Sequence, residues 1–213
     1  MNRDHQTSPF PAPPPIPSII LLVRILILSH RYTVHVRRWH EGLRGRGLHV
    51  RVLVRAGEGA REVYAPPAWA GRCAPLRKGW QALAFLWLLL TFRPRVLHQH
   101  WFEVPRLARL FPRRLPLVIS VWGADIIRDW STAERAAARR YAGRAAAVLG
   151  TSRFLADAAA DVLARPVERL YWGVDVRRFS PRPAEPHADF RVGFFKHLLP
   201  KYAPDLVVEA FAT

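Results

Sequence analysis

Two short segments of the sequence carry the residue types best suited to binding and chemistry. The first contains His98 and His100, followed by Trp101, and the second runs from Trp122 to Asp125. Imidazole rings form hydrogen bonds or bind metal ions, an indole presents a flat apolar face, and a carboxylate accepts hydrogen bonds. Gly123 would let the backbone come close to a ligand. These segments are therefore the first candidates for a functional site.

Each candidate segment ends a short apolar run that is typical of a buried parallel strand. The runs lie within Pro94 to Trp101 and Pro116 to Asp125, and the segment between them, Phe102 to Phe111, has the length of a helix. His98 and His100 are two residues apart, so both are predicted on one side of their strand. Ligands of open α/β sheets bind at the carboxyl ends of the strands. The wall of an open crevice predicted there consists of His98, His100, Trp122 and Asp125.

The rest of the chain alternates predicted strands and helices. A strand from Arg24 to Ser29, a helix from His35 to Arg46 and a strand from Leu48 to Val54 form a βαβ unit. A surface excursion follows from Arg55 to Pro75. The later elements are helix Trp80–Phe92, helix Ser131–Tyr141 with a Ser131–Glu134 capping box, strand Ala145–Leu149, helix Arg153–Ala164 capped by Thr151 or Ser152, and strand Val167–Tyr171. This pattern predicts an α/β fold with a Rossmann-like, doubly wound parallel sheet.

Composition divides the chain into regions. They are a disordered proline-rich leader over residues 1–22, a Rossmann-like domain over residues 23–181, a linker over residues 182–189, and the first strand and helix of an incomplete second domain over residues 190–213. The strand of that second domain is predicted at Phe190 to Phe195 and its helix at Pro204 to Phe211.

The net charge of +17 favours polyanionic partners, namely nucleic acid, an anionic membrane face or phosphorylated substrates. The arginines are scattered over all elements, which indicates a generally basic surface rather than a dedicated nucleic-acid face. No helix-turn-helix, zinc spacing or aromatic-basic sheet motif is found, so a nucleic-acid partner is not expected. Cys73 is the only cysteine, which excludes an internal disulfide and a cysteine-based zinc site and fits a reducing, cytoplasmic setting.

Two apolar segments bear on membrane contact. Ile16 to Leu28 is interrupted by Pro17 and Arg24 and is too short to span a bilayer. Trp80 to Phe92 is also too short, and it predicts either a helix packed on the sheet or one that also dips into a membrane surface beside nearby cationic residues. We expect a cytoplasmic protein, with peripheral contact to the inner membrane face as the alternative.

Several phrases, taken in order, resemble the family 4 glycosyltransferases, which are retaining, nucleotide-sugar-dependent enzymes built from two facing Rossmann-like (GT-B) domains. The phrases are Arg24 to Ser29, His35 to Trp39, Gly47 to Val50, Pro94 to His100, Ser120 to Asp125, Gly173 to Asp175 and Phe179 to Pro181. Residues 192–211 resemble the start of the second domain. Each phrase alone is generic for Rossmann strands, and their order and spacing carry the resemblance.

The resemblance implies an acceptor cleft in the first domain and a donor site completed by the second. The implied residues are, for the acceptor cleft, Ser29, His30, Arg31, His35, Arg38, His98, His100, Trp101, Trp122, Gly123 and Asp125; between the domains, Gly173, Val174 and Asp175; and at the donor diphosphate, Lys196 and Lys201. Trp122 stands where the family commonly has a histidine tied to catalysis, so the resemblance assigns no catalytic residue.

The residues themselves leave alternatives to these roles open. The loop Ser29 to Thr33 lines a cleft, at a helix amino terminus that favours anions, or is an ordinary turn. Arg38 contacts a phosphate or sugar hydroxyl together with His35, or forms a surface ion pair. The histidine pair offers hydrogen bonds in a cleft, or belongs to the core; as metal ligands it lacks a third partner nearby. Trp122 and Asp125 bind a sugar ring and its hydroxyls, or are a buried indole and a cap of the following helix.

Two functions follow from this reading. The favoured one is hexosyl transfer from a UDP- or GDP-type sugar to a sugar, lipid-linked or polysaccharide acceptor, with no metal and no cofactor beyond the nucleotide-sugar co-substrate. The chain alone is expected to be inactive, because the two-glutamate motif and nucleotide-binding elements belong to the second domain, which a separate reading frame could encode. The alternative is a non-catalytic Rossmann-like protein whose basic surface binds an anionic membrane or nucleic acid.

Overall fold

The structure is a computed structural model that describes residues 23–174, 176, 179–180, 193–194 and 198–212. The predicted leader and linker lie outside the described residues, as does most of the strand predicted at Phe190 to Phe195. The chain divides into two units, the first ending at Trp172 and the second beginning at Gly173. The domain ranges given above stay a prediction.

The first unit alternates strands and helices. In chain order its elements are β1 (Arg24–Ser29), α1 (Val34–Arg44), β2 (His49–Val54), β3 (Val63–Tyr64), α2 (Ala68–Gly71), α3 (Ala74–Thr91), β4 (Val96–His100), a 3-10 helix (Arg106–Leu110), β5 (Leu117–Val121), α4 (Thr132–Ala142), β6 (Ala147–Gly150), α5 (Arg153–Leu163) and β7 (Glu168–Arg169). The described part of the second unit has a 3-10 turn (Pro200–Tyr202) and α6 (Pro204–Ala212).

The described strands form one parallel sheet in the order β3-β2-β1-β4-β5-β6-β7. Ile27 of β1 pairs in register with Val52 of β2 on one side and with His98 of β4 on the other. On β4, His100 lies opposite Ser120 of β5. The predicted Rossmann-like α/β sheet is confirmed. Because the chain leaves β1 toward β2 and later returns to β4 on the opposite side, the carboxyl ends of these strands meet where the strand order reverses.

Alternate residues of each strand pack on opposite faces of the sheet. Leu26 belongs to one buried cluster with Phe85 of α3, to which α4 and α5 also contribute. Ile27 belongs to a second buried cluster with Val36 of α1. The sheet therefore has an α1 face and an α3 face, and a side chain on a strand reaches one or the other.

Short-range capping fixes where the helices begin. The capping box at α4 is confirmed: the Glu134 N–H donates to Ser131 Oγ over 3.3 Å, and the Ser131 N–H donates to Glu134 Oε2 over 3.0 Å. The Ser131 N–H, the Ser131 hydroxyl and the Arg128 guanidinium donate to the Glu134 carboxyl, and these bonds hold its pKa down at about 2. Of the two predicted caps of α5, Ser152 is the one used, since its Oγ accepts from the Leu155 N–H over 3.1 Å.

Four predicted segments differ from the elements that the structure shows. The helix predicted at Phe102 to Phe111 is only a 3-10 helix, because Pro105 disfavours helical backbone before it and Pro112 follows directly. The excursion from Arg55 to Pro75 contains β3 and α2. Helix α3 begins at Ala74, six residues before Trp80, with a proline in its first turn where the missing N–H is tolerated. Strand β7 is shorter than predicted.

The length and composition of the described helices bear on membrane contact. Among the residues that the structure describes, no helix has both the length and the apolar character needed to cross a bilayer.

Candidate functional site

Two groups of side chains meet at the carboxyl edge of β1, β2, β4 and β5, one on each face of the sheet. The aromatic–histidine cluster, on the α1 face, consists of His35, Trp39, His98, His100, Trp122 and Trp172. The polar pocket, bordered by α3, encloses about 370 Å³ and is lined by Ser29, His30, Arg55, Lys78, Gln81, Trp101 and Glu103, together with apolar neighbours and His100.

The centre of the aromatic–histidine cluster is the histidine pair of β4. The ring centroids of His98 and His100 lie 4.3 Å apart, which confirms that both side chains share one side of the strand. Trp39 of α1 packs its ring edge-on to both, with centroid distances of 4.9 and 5.5 Å. The Trp39 indole therefore packs on the pair and separates it from solvent.

His98 is a core histidine whose polar end is satisfied. Its side chain is buried, and its Nε2 lies 2.8 Å from the Ser120 hydroxyl. Burial lowers the pKa of His98 to about 4, because a charged imidazole would lose its hydration there. His98 is therefore neutral at physiological pH. Among the described residues no group of three potential ligands could hold a metal ion with it.

His100 differs from its neighbour because its polar atoms are not satisfied. It is only 2% exposed, and neither of its ring nitrogens has a hydrogen-bond partner among the described residues. Burial, followed by the neighbouring His98 and His35, lowers its pKa well below the usual value. Buried polar atoms nearly always find a partner. The neutral ring is therefore free to accept one hydrogen bond and donate another.

An accessible layer of rings covers the buried pair. Trp122 and Trp172 are half-buried with centroids 5.0 Å apart, and exposed His35 lies 4.9 and 5.2 Å from them. The Arg38 guanidinium lies 6.0 Å from the Trp172 ring centroid. The indole Nε1 of Trp122 is buried without a hydrogen-bond partner among the described residues. These rings offer apolar faces beside polar groups, the arrangement that suits a sugar ring.

Asp125 is buried, whereas a residue in the wall of a crevice would be accessible. Its carboxylate is buried and accepts hydrogen bonds from the N–H groups of Phe102 (2.7 Å), Trp122 (2.9 Å) and Gly123 (2.7 Å). Burial raises its pKa, although these bonds favour the ionised form. The carboxylate thus ties the loop after β4 to the loop after β5. The predicted crevice wall is corrected accordingly: His98, His100 and Asp125 lie beneath the surface because backbone and packing enclose them, and of the four predicted residues only Trp122 is partly exposed.

The polar pocket is held by a network of polar groups. Arg55 and Glu103 form an ion pair, and the Gln81 amide donates to the Arg55 carbonyl over 3.2 Å. Buried Gln99 donates to the carbonyls of Trp101 (3.1 Å) and Glu103 (2.8 Å) and accepts from a tyrosine hydroxyl. These bonds fix the loop after β4, so the pocket wall is preformed.

Besides His100, three predicted residues line this pocket, and two of these three show local electrostatic or backbone effects. Burial and then the Arg55 charge lower the pKa of His30, while Glu103 opposes them. Trp101 has a left-handed backbone with φ of +76° and is 42% exposed. A non-glycine residue in that region is strained, and such strain concentrates at ligand sites. Ser29, the third, donates its hydroxyl to the Arg31 carbonyl over 3.0 Å.

The remaining predicted residues are not members of either group, or they lie outside the described residues. Arg31 is exposed and does not line the pocket. Gly123 has φ of +128°, which a glycine adopts without strain. Gly173 and Val174 begin the second unit, Asp175 and Lys196 lie outside the described residues, and Lys201 is described only by its backbone within the 3-10 turn.

Sequence reasoning missed several residues of the pocket. Arg55 directly follows the carboxyl end of β2, so the rule that pointed to His100 would also have pointed to it. Lys78 lies between the predicted excursion and the predicted helix, and Gln81 lies in the predicted helix, which was read as almost wholly apolar. Glu103 falls in the segment that was predicted as a helix and is a loop.

A protein-family model covers most of the residues of both groups. The family model described as a glycosyl transferase 4-like domain matches residues 32–172, more than half of the chain. This range includes the whole aromatic–histidine cluster and all of the polar pocket except Leu28, Ser29 and His30. The chain therefore belongs to the glycosyl transferase 4-like domain family, in agreement with the resemblance noted above. No curated protein matches the chain significantly.

The solved structures that match the chain share little of its sequence. A sucrose-phosphate synthase from Thermosynechococcus elongatus has a TM-score of 0.49 at 14% identity, over 73% of this chain and 92% of that one. A UDP-GlcNAc 2-epimerase from Methanocaldococcus jannaschii has a TM-score of 0.44 at 10% identity, over 67% and 42%. MurG from Acinetobacter baumannii has a TM-score of 0.41 at 12% identity, over 62% and 42%. The chain thus spans less than half the length of the last two.

Proposed function

We propose that this chain supplies the acceptor-binding domain of a retaining, nucleotide-sugar-dependent glycosyltransferase. The observation that carries the proposal is that the segment matching the glycosyltransferase family brings a ring platform and a polar pocket to one sheet edge. Rings that stack on a sugar and paired charges that bind its polar groups are the two parts that an acceptor site needs.

Each group has a distinct part in this proposal. Trp122 and Trp172 would stack on the acceptor ring, and the neutral His100 beneath them would exchange hydrogen bonds with a hydroxyl. Arg55 and Lys78 would bind an anionic or hydroxyl-bearing part of the acceptor. The departing diphosphate needs positive charge, which we assign to Lys196 and Lys201. We assign no group as a nucleophile.

Donor binding is assigned to the second domain, of which residues 190–213 would be the start. We therefore propose that the first Rossmann-like domain binds the acceptor and that the second domain binds the nucleotide-sugar donor. No metal and no cofactor other than the nucleotide-sugar co-substrate is required in this proposal.

The test uses the indole N–H signals of the isotope-labelled chain in NMR spectra. Water-soluble mono- and disaccharides are titrated, and the Trp122 signal is assigned with a Trp122→Phe variant. We expect the Trp122 signal to shift on binding, because its unpaired N–H lies in the platform, while the signal of exposed Trp69 stays in place. If no saccharide shifts the Trp122 signal and the chain binds duplex DNA in a salt-dependent manner, the non-catalytic alternative is favoured instead.

A further inference from the structure

Helix α3 turns its apolar side outward. Leu76, Leu83 and Leu90 recur at intervals of seven residues and are 51, 69 and 74% exposed. Leu86 and Trp87, on the same side, are also exposed, whereas the residues turned to the core include the polar Gln81. A surface helix normally has the opposite arrangement, with its polar residues toward water. We call this exposed set of four leucines and one tryptophan the α3 outer face.

The α3 outer face is continuous and uncharged along most of the helix. From Gln81 to Thr91 the sequence contains no charged residue. Exposed Trp69 of α2 adds a further indole, since α2 packs against α3. Contiguous exposed apolar patches of this kind mark surfaces that bind a partner or a membrane.

The charges around this face select the partner. Exposed cationic residues lie at both ends of the helix: Arg72 and Lys78 at the amino end, Arg93 and Arg95 at the carboxyl end. The whole stretch from residue 63 to residue 102 contains no aspartate or glutamate. An apolar strip flanked by cations is complementary to a bilayer surface that exposes acyl chains between anionic headgroups.

The dimensions of α3 fit the same partner. Its 18 residues correspond to a length of about 27 Å, and the helix lacks the apolar length to cross a bilayer. An amphipathic helix of this length lies in the plane of the interface with one face inserted. We propose that the α3 outer face docks this chain onto an anionic membrane surface.

Docking through α3 would also fix the position of the polar pocket relative to the membrane surface. Lys78 and Gln81 on α3 line that pocket, so its mouth would lie beside the lipid headgroups. The acceptor would then be lipid-linked, with its anionic linkage near Lys78 and Arg55. This second step rests on the proposed function, whereas docking itself does not.

The experiment measures sedimentation of the full chain with phosphatidylcholine vesicles that contain about 30 per cent phosphatidylglycerol. We expect binding that is much weaker on vesicles of phosphatidylcholine alone. The double variant Leu83→Gln/Leu90→Gln should lower the partition coefficient at least about tenfold, because two inserted leucines are lost. The matched control is Phe154→Gln on α5, which is 69% exposed and lies outside this face, and it should bind like the unaltered chain.

Two results would overturn the proposal. One is equal vesicle binding by the leucine variant and the unaltered chain, which would assign binding to net charge alone. The other is absence of vesicle binding together with a dimer that the leucine variant dissociates, which would make a second copy the partner. Circular dichroism of each variant shows that it is folded. Because sedimentation needs no sugar, a negative result leaves the acceptor titration with soluble saccharides as an independent test.

Discussion

The aromatic–histidine cluster and the polar pocket share one sheet edge but differ in the exposure and pairing of their polar groups. In the pocket, Arg55 and Glu103 stay 44 and 37% exposed and are paired with each other. In the cluster, His98 and His100 are sealed under rings and kept neutral, and the nitrogens of His100 have no partner among the described residues. In the pocket, charged groups have little effect on the free energy of unfolding because water reaches them. In the cluster, the same burial that leaves His100 able to form hydrogen bonds also makes protonation of the histidines oppose folding.

The largest expected effect is a loss of stability in acid that originates in the cluster. The folded-state pKa of His98, about 4, lies below its usual value of 6.5, so the unfolded chain binds more protons between these values. Stability therefore falls as pH falls through this window, by about 2 kcal/mol from His98 between about pH 7 and pH 5, and His100 acts in the same direction. Urea unfolding over this range measures the effect.

The variant His98→Gln separates the cluster from the other groups that titrate. The variant lacks the contribution of His98 to the pH dependence of stability. Its free energy of unfolding should therefore depend less on pH than that of the unaltered chain. Exposed His49 on β2 gives the matched control, His49→Gln, which should retain the full dependence. An unchanged slope in His98→Gln would contradict the assignment of the acid sensitivity to the cluster.

Asp125 joins the two regions, and its removal is expected to have the next largest effect after the combined acid effect of the two histidines, this time at neutral pH. Asp125→Ala leaves three backbone N–H groups without their acceptor, one in the loop after β4 and two in the loop after β5. The loss should be about 3 kcal/mol in the free energy of unfolding. In the folded variant the Trp122 indole signal should also move, because its loop is no longer held.

The control for this carboxylate is Asp157→Ala on α5. Asp157 is exposed on its helix, and its substitution should change stability by less than about 0.5 kcal/mol. A similarly small change for Asp125→Ala would show that the two loops are held by other contacts.

The sequence was sufficient for the sheet and for part of the site. Short apolar runs that end in polar or aromatic residues predicted β4 and β5, and the spacing of His98 and His100 placed them on one side of a strand. Burial of the pair was not predictable, because it depends on the packing of Trp39 from α1 against β4. The local pattern around Asp125 was compatible with either a ligand or a cap, and the deciding partner, the Phe102 N–H, lies on another loop.

The pocket was harder to predict because its wall is assembled from distant parts of the chain. Arg55 follows β2, Gln81 lies on α3 and Glu103 follows β4, and the sheet order β2-β1-β4 brings them together. No local period contains that information. The error at Phe102 to Phe111 added to this, since a helix would have turned Glu103 elsewhere.

The smallest expected effect tests the pocket side of the comparison. Glu103→Gln removes the ion pair with Arg55, but both side chains are more than a third exposed, so water already screens their attraction. A double-mutant cycle with Arg55→Gln should give a coupling of about 0.2 to 1 kcal/mol, which salt reduces further. The Glu103 carbonyl that accepts from Gln99 is backbone and survives the substitution, so the loop remains in place. A coupling above about 2 kcal/mol would mean that the pair behaves as a buried one, and the contrast between a screened pocket and a sealed cluster would fail.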